Sequence, residues 1–459
     1  MVHSTRSNNQ ITISKAILKG LASDGGLFIF DEIKKIDVKS LYGKTYQEIA
    51  IEILKKYLEE FSDEEIKWAV NSAYSKENFG DNPVTLKEFD KYAYLELFNG
   101  PTAAFKDMAL TILPKLMYLS KKKNGVKEKT HIYVATSGDT GSATLSGFYG
   151  TDGIDVTVLY PNKLVSSLQE KQMLYYSNKK SRAYALNGNF DDCQRLVKAI
   201  SLNNKKISSA NSINIGRLIP QIVYYFYGYI KLVKDGKVES GESINVCVPT
   251  GNFGNILAGY IAKQMGCPID KLICAANENN ILYDFINTGI YDSNRKFIKT
   301  YAPSMDILVS SNVERLLYFF YKDVNIIKEM FEKFKETEMI KVDKYLFKDF
   351  KSFYATNNEI LEEINHEYNE NNYLIDPHTA VARNAYKKSV EDGNDKYTLI
   401  LSTASCYKFE DAIYDAKVEF SMENAIPNIK KVMDKEISEE IKNNVVDEED
   451  VWEMVKCLK

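Results

Sequence analysis

Val246-Cys247-Val248-Pro249-Thr250-Gly251-Asn252-Phe253-Gly254-Asn255 is an apolar run that ends in a glycine-bearing loop, and Ile256-Leu257-Ala258-Gly259-Tyr260 continues it as a helix. A short unbroken apolar run suits a strand buried on both faces, as in a parallel sheet. The order strand, loop, helix then puts the loop at a carboxyl-terminal strand end, where open α/β sheets bind ligands. Two glycines three apart let the backbone curl closely around a phosphate, and the dipole of the following helix favours negative charge there. The loop matches neither the nucleotide P-loop nor the dinucleotide pattern, because the Lys-Ser/Thr pair and the third glycine spacing are missing. A simple strand-to-helix turn is the competing reading, since Gly-Asn is common in turns.

The same order recurs outward in both directions. Upstream, Glu96-Leu97-Phe98-Asn99-Gly100-Pro101-Thr102-Ala103-Ala104-Phe105-Lys106-Asp107 reads as a strand, a Gly-Pro turn and a helix start, with one lysine behind small and aromatic neighbours. A lysine chosen at random is a surface residue. A lysine meant to form a Schiff base must be partly desolvated, because burial disfavours the ammonium and exposes a nucleophilic lone pair. Val134-Ala135-Thr136-Ser137-Gly138-Asp139-Thr140-Gly141-Ser142-Ala143 again runs from strand into helix, and its amides and hydroxyls suit either a carboxylate or an ordinary helix cap. Downstream, Leu401-Ser402-Thr403-Ala404-Ser405-Cys406-Tyr407-Lys408-Phe409 places hydroxyls at a strand end, fit to bond a ring nitrogen or to cap a helix near Phe409.

Two further segments carry polar residues at helix starts. Ser208-Ser209-Ala210-Asn211-Ser212-Ile213-Asn214-Ile215-Gly216-Arg217 opens a long apolar helix through Tyr224 and Phe226. Arg217 is suited to a carboxylate or phosphate through its planar fork, or equally to a structural salt bridge. Asp376-Pro377-His378-Thr379-Ala380 reads as a helix start with proline near its first position, and His378 as a structural histidine before an acid-base one.

Residues 45–74 mix apolar and charged positions at helical spacing, so residues 1–90 are expected to form a helical N-terminal domain. Strands alternating with helices after Asn82-Pro83 predict α/β layers. The expected division is a large cofactor-binding domain of residues 91–106 and 187–459 and a small α/β domain of residues 107–186. The charged stretch 436–450 is expected as exposed helix, and Lys121-Lys122-Lys123 as a solvated loop.

Composition narrows the function classes. The 459 residues are 44% hydrophobic and 27% charged with a formal charge of -4, which suits a globular protein of two or three domains. No dense basic block favours nucleic acid or an anionic membrane as partner. No apolar run has the length of a secretory signal or a bilayer span, so a cytoplasmic protein is expected. Six cysteines without a Cys-x-x-Cys pair and four widely spaced histidines support no metal site, and most of the thiols are expected reduced.

Taken in order, these motifs resemble the threonine synthase family of pyridoxal-phosphate enzymes, in its long bacterial and fungal branch. The resemblance runs nearly end to end and includes Ser4-Thr5-Arg6 and Ala22-Ser23-Asp24-Gly25-Gly26-Leu27-Phe28. It implies an α/β pyridoxal-phosphate fold of type II, like the tryptophan synthase β-subunit, with parallel or mixed sheets flanked by helices. It implies pyridoxal 5'-phosphate on Lys106, its phosphate within Gly251, Asn252, Phe253, Gly254 and Asn255, and its pyridine nitrogen on Thr403. Ser137, Gly138, Asp139, Thr140 and Gly141 would hold the substrate carboxylate. Lys163, Asn214, Arg217 and Arg6 are candidates for the rest of the substrate, including its phosphate. The implied reaction converts O-phospho-L-homoserine and water to L-threonine and phosphate, in a monomer. One motif departs from the family: its usual Thr-Ala-His-Pro-Ala-Lys-Phe is here Thr403-Ala404-Ser405-Cys406-Tyr407-Lys408-Phe409. That departure keeps open a related phospho-lyase giving 2-oxobutyrate, and a non-catalytic cofactor-binding relative acting through a protein partner.

Overall fold

The apolar runs form two parallel sheets, because side chains alternate across a strand and both faces then need cover. A computed structural model describes residues 1–204 and 206–458. The larger sheet runs in the order Phe350–Tyr354, Ile269–Ala276, Ile244–Pro249, Thr398–Ser402, Tyr92–Glu96 and Thr85–Glu88. Its first five strands are parallel, and Thr85–Glu88 closes one edge antiparallel to Tyr92–Glu96. The period of two divides its core in half. Ala93, Leu95, Val246, Val248, Leu272, Leu399 and Leu401 join one cluster, whereas Tyr94, Cys247, Ile273, Ala275 and Ile400 join another.

Each face has its own helical cover. On one side the helix Ile222–Lys234 comes so close that a Cβ on Gly228 would lie 2.7 Å from Leu399 Cδ2. On the other lies Pro377–Glu391, whose Ala382 carbonyl accepts from Cys247 Sγ at 3.1 Å. Fully burying an aliphatic side chain contributes about 1.5–3 kcal/mol, so this two-sided packing is the main source of the sheet's stability.

The second sheet runs Val445–Val446, Arg182–Leu186, Ile154–Pro161, Thr130–Ala135 and Ile207–Ser208, all parallel. Its strands cross the expected boundaries. Ile207–Ser208 and Val445–Val446 fall in the stretch assigned to the large domain, and Thr85–Glu88, within residues 1–90, pairs with the large sheet. The charged C-terminal stretch is not one exposed helix. Short helices Glu439–Lys442 and Glu448–Lys456 flank the strand Val445–Val446, and Val446 and Val451 pack with Leu186 and Leu196.

Helices Tyr46–Lys55 and Asp63–Ala73 begin at capping boxes, Thr45 with Glu48 and Ser62 with Glu65, as their periodicity predicts. The N-terminal region is not wholly helical, because Val2–Ser4, Ser7–Ile11 and Phe28–Ile29 form a three-stranded antiparallel sheet. Strands of two to five residues with many polar positions leave too little alternation to read. The helix after Asn214 is also interrupted, as Ile215–Leu218, a 3-10 turn Ile219–Gln221 and Ile222–Lys234, because Pro220 removes a donor. Lys121, Lys122 and Lys123 form the last turn of the helix Leu113–Lys123 rather than a loop, and the buried Lys121 Nζ donates to Glu128 O, Thr130 Oγ1 and Gly153 O. No helix among the described residues is long and apolar enough to cross a membrane.

Candidate active site

Loops from the carboxyl ends of both sheets converge on a cleft of about 710 Å3, its mouth included. From the large sheet come the lysine loop after Tyr92–Glu96, the glycine loop after Ile244–Pro249 and Thr403 after Thr398–Ser402. The second sheet supplies Asp139 and Thr140, which begin the helix Asp139–Phe148. This is the strand end at which open α/β sheets bind ligands.

The lysine loop is held in a backbone ladder. Phe105 N donates to Thr403 O at 2.8 Å, Ser405 N donates to Ala103 O at 3.1 Å, and Ala104 bridges Ala404. Ala103 sits at φ 56, the left-handed region that non-glycine residues rarely adopt. Asp107 fixes the turn by accepting from Thr102 N at 2.8 Å and Thr102 Oγ1 at 2.7 Å. Lys106 is thereby aimed into the cleft, 8% exposed. Its Nζ lies 3.4 Å from Asp139 Oδ2 and 3.4 Å from Ser304 Oγ. Burial lowers its pKa, the carboxylate of Asp139 works against that, and Lys408 and Arg217 lower it further.

The glycine loop ends in Phe253 at φ 64, which turns the chain into the helix Gly254–Met265. A Cβ on Gly251 would lie 2.7 Å from Ser304 O, so this position needs glycine. Asn255 Oδ1 accepts from Tyr224 OH at 2.6 Å and Tyr225 OH at 2.8 Å. Its Nδ2 is buried with no hydrogen-bond partner among the described residues. Arg217 is also buried: Nη1 donates to Ala210 O at 3.3 Å, whereas Nε has no partner among the described residues. Burial depresses the Arg217 guanidinium to about 10. Free buried donors at a helix start, beside a glycine that no Cβ can replace, fit a phosphate.

The expected site residues fare differently. Lys106, Asp139, Thr140, Arg217, Gly251, Asn252, Phe253, Gly254, Asn255 and Thr403 all line the cleft. Gly138 and Gly141 act in packing, since a Cβ would meet Gln169 at 2.4 Å and Met173 Sδ at 2.7 Å respectively, and Ser137 does not line the cleft. Asp139 brings a carboxylate, not only an amide, to the place expected to receive one. Burial alone would raise its pKa, but Lys408 and Lys106 hold it far below the usual carboxylate range.

Three candidates lie away from the cleft. Lys163 is exposed and outside the lining. Asn214 is spent on structure: Nδ2 donates to Ile17 O at 3.0 Å and Ser209 O at 2.9 Å, and Oδ1 accepts from Gly216 N at 2.9 Å. Arg6 pairs with Glu314 through Nε at 2.8 Å and Nη2 at 2.7 Å.

Sequence reading missed two residues at the centre. Ser304 follows no motif. Lys408 stands in a quoted motif, but a lysine before a helix carries no local sign of burial. Its Nζ lies 2.6 Å from Asp139 Oδ1 and donates to Thr102 O at 2.9 Å. His378 lines the cleft with both nitrogens engaged: Ser304 N donates to Nε2 at 3.2 Å, so Nδ1 carries the proton and donates to Asp376 Oδ1 at 2.8 Å.

A buried, deprotonation-prone lysine facing an anion cradle defines a pyridoxal-phosphate site, and the family model described as pyridoxal-phosphate dependent enzyme matches residues 80–403. A second model, threonine synthase N terminus, matches residues 2–74. The threonine synthase of Saccharomyces cerevisiae is 38% identical over 463 residues, covering 91% of this chain and 89% of its own. Its solved structure gives a TM-score of 0.89 at 36% identity, over 99% of this chain and 97% of that one. The threonine synthase of Brucella melitensis, solved with pyridoxal phosphate bound, gives 0.89 at 33% identity over 99% and 98%. The chain belongs to the threonine synthase family, and its cofactor is pyridoxal phosphate.

Proposed function

We propose that this chain is a threonine synthase that converts O-phospho-L-homoserine and water to L-threonine and inorganic phosphate. The observation that carries this is the charge of the cleft. Arg217 is a buried cation in the lining, and the single lining carboxylate, Asp139, is already paired with Lys408. Such a balance suits a ligand set bearing several negative charges, here a cofactor phosphate, a substrate phosphate and a substrate carboxylate.

The residues would divide the work as follows. Lys106 anchors the cofactor through its amine. Asn255 Nδ2 and the amides of the glycine loop take its phosphate, and the Thr403 hydroxyl takes the ring nitrogen without placing a carboxylate there. Bound in that position, pyridoxal phosphate supplies an electron sink for charge left on carbon when a proton departs. Lys106 removes and returns the proton at the substrate Cα, a task for which burial suits it by disfavouring the ammonium. Asp139 orients that amine from one side and Ser304 Oγ from the other. Arg217 holds the substrate phosphate until it leaves Cγ, and the start of the helix Asp139–Phe148 takes the substrate carboxylate. Fixing both ends keeps water addition at Cβ.

The test is incubation with O-phospho-L-homoserine, followed by amino-acid analysis and phosphate determination. Threonine and phosphate in equal amounts are expected. 2-Oxobutyrate without threonine would overturn the synthase in favour of the phospho-lyase. We also assign the protein to the cytoplasm as a monomer; the six cysteines, free in this structure and five of them buried, support a reducing compartment. We keep three units, with boundaries drawn by strand membership: the N-terminal region, the large sheet with its helices, and the small sheet extended by Ile207–Ser208 and Val445–Val446.

A further inference from the structure

One carboxylate serves two lysines in the cleft, and it serves them unequally. Asp139 Oδ1 lies 2.6 Å from Lys408 Nζ and accepts a second bond, 2.9 Å, from Gln169 Nε2. Oδ2 meets Lys106 Nζ at 3.4 Å. The Lys408 side chain has no solvent exposure and does not line the cleft. The stronger share of the carboxylate therefore goes to a cation that touches no ligand, and the weaker share to the amine that does the chemistry. Charge attraction weakens with distance and 3.4 Å is long for a charge-assisted bond, so the 2.6 Å contact outweighs the other.

We propose that Lys408 is a positioning residue for Lys106: by occupying Oδ1 of Asp139, it lets that carboxylate orient the Lys106 amine without trapping it as an ammonium ion. The proposal rests on the reading of Lys106 as the cofactor's anchor. Without Lys408, a buried carboxylate would lack a full counterion, and an uncompensated buried charge is strongly unfavourable. Lys106 would be drawn in to supply it, would keep its proton, and would lose both nucleophilicity and the capacity to take a proton from carbon. The groups facing this set are Asp139, Lys408 and Arg217 around Lys106, His378 near Asp139 and bonded to the Ser304 amide, and Asp107 beside Lys408. Lys408 and Lys106 both follow strands of the large sheet while Asp139 follows one of the small sheet, so the pair also sets the spacing across the cleft.

The test follows the pH midpoint of the bound cofactor's visible absorption band in the full-length holoenzyme. A second measure is the pH dependence of Lys106 acylation by a trace reagent in the cofactor-free chain, read by mass spectrometry. Lys408→Met should raise both midpoints by about one to three pH units, the range for a charge partner gained or lost at this distance. Asp139→Asn should lower them, and the double variant should fall between the two. If Lys408→Met does not fold, the double variant leaves no lone buried charge, and its midpoint should still exceed that of Asp139→Asn. Unmoved midpoints in folded Lys408→Met, with only stability lost, would overturn the proposal and leave Lys408 a structural cation. Lys106→Ala is the separate check on the anchor: a band that survives there overturns that reading, while its loss confines any failure to the role of Lys408.

Discussion

Asn255→Asp separates two jobs that one side chain performs. Oδ1 accepts from Tyr224 and Tyr225, while Nδ2 is buried with no partner among the described residues. Aspartate keeps the acceptor for the tyrosines and replaces the free donor with a second, charged acceptor facing the proposed phosphate position. A hydrogen bond to a charged group contributes about 1.5–3 kcal/mol, so losing it should weaken cofactor binding roughly 10- to 150-fold before repulsion is added. Asn255→Ala is the contrast: it takes one acceptor from each tyrosine, but Tyr224 OH keeps Gln221 Oε1 at 3.3 Å and Tyr225 OH keeps the main-chain oxygen of Asn255 at 2.8 Å, so the cofactor-free chain should lose only about 1 kcal/mol of stability. The assay is absorbance titration of that chain with pyridoxal phosphate, alongside urea unfolding. Burial raises the pKa of an aspartate, and the neutral acid regains an O–H donor, so binding to the aspartate variant should strengthen as pH falls. Wild-type affinity in Asn255→Asp at pH 8 would refute the assignment of Asn255 to the phosphate.

Three further outcomes follow from other buried groups. Burial pushes the Asp107 carboxyl up to about 6 from its ordinary 3.8, so the folded chain holds a proton that the unfolded chain has lost between those values. Stability relative to Asp107→Asn should therefore fall by on the order of 2–3 kcal/mol from pH 4 to pH 8, measured by urea unfolding across pH. Arg315 is fully buried and donates to Phe28 O, Ser212 O, Ile213 O and Asn312 Oδ1, joining the N-terminal sheet to two loops near the cleft. Arg315→Lys cannot span four acceptors and should destabilise by about 3 kcal/mol, with early proteolysis of the N-terminal region as the readout. Val446→Asp buries a charge in the edge strand of the small sheet and should cost about 2 kcal/mol or more, seen as a lowered thermal midpoint.

The parallel sheets were legible because their strands are short apolar runs followed by glycine, serine or threonine, a pattern local to about ten residues. Lys106, the glycine loop and Thr403 were legible for the same reason. Ser304 was not: it lies 198 residues from Lys106 in the chain and reaches it through a loop with no motif of its own. Asn214 and Arg217 sit in one polar cluster at a helix start, and nothing local says that the first is consumed by capping while the second turns into the cleft. Val445–Val446 is a two-residue strand inside a charged stretch, too short for any period to register. Lys121 looked solvated because it stands among lysines, yet three acceptors hold it below the surface.

The departure at Ser405-Cys406 gains a physical reading from the ladder that holds the lysine loop. Lys106 and Thr403 are registered by Phe105 N on Thr403 O and by Ser405 N on Ala103 O, both main-chain bonds. Exchanging the side chain at position 405 leaves those bonds in place, so the distance between the lysine and the hydroxyl does not depend on an imidazole there. Cys406 opens the turn Cys406–Lys408 that delivers Lys408 to Asp139, a first position that proline accepts equally well, so this exchange also leaves the turn in place. The imidazole that lines this cleft belongs to His378, and its two nitrogens are committed to Asp376 and to the amide of Ser304. It holds the loop that carries Ser304 against Lys106 and has no nitrogen left to exchange a proton with a ligand. The proton transfer proposed for Lys106 therefore needs no imidazole at position 405.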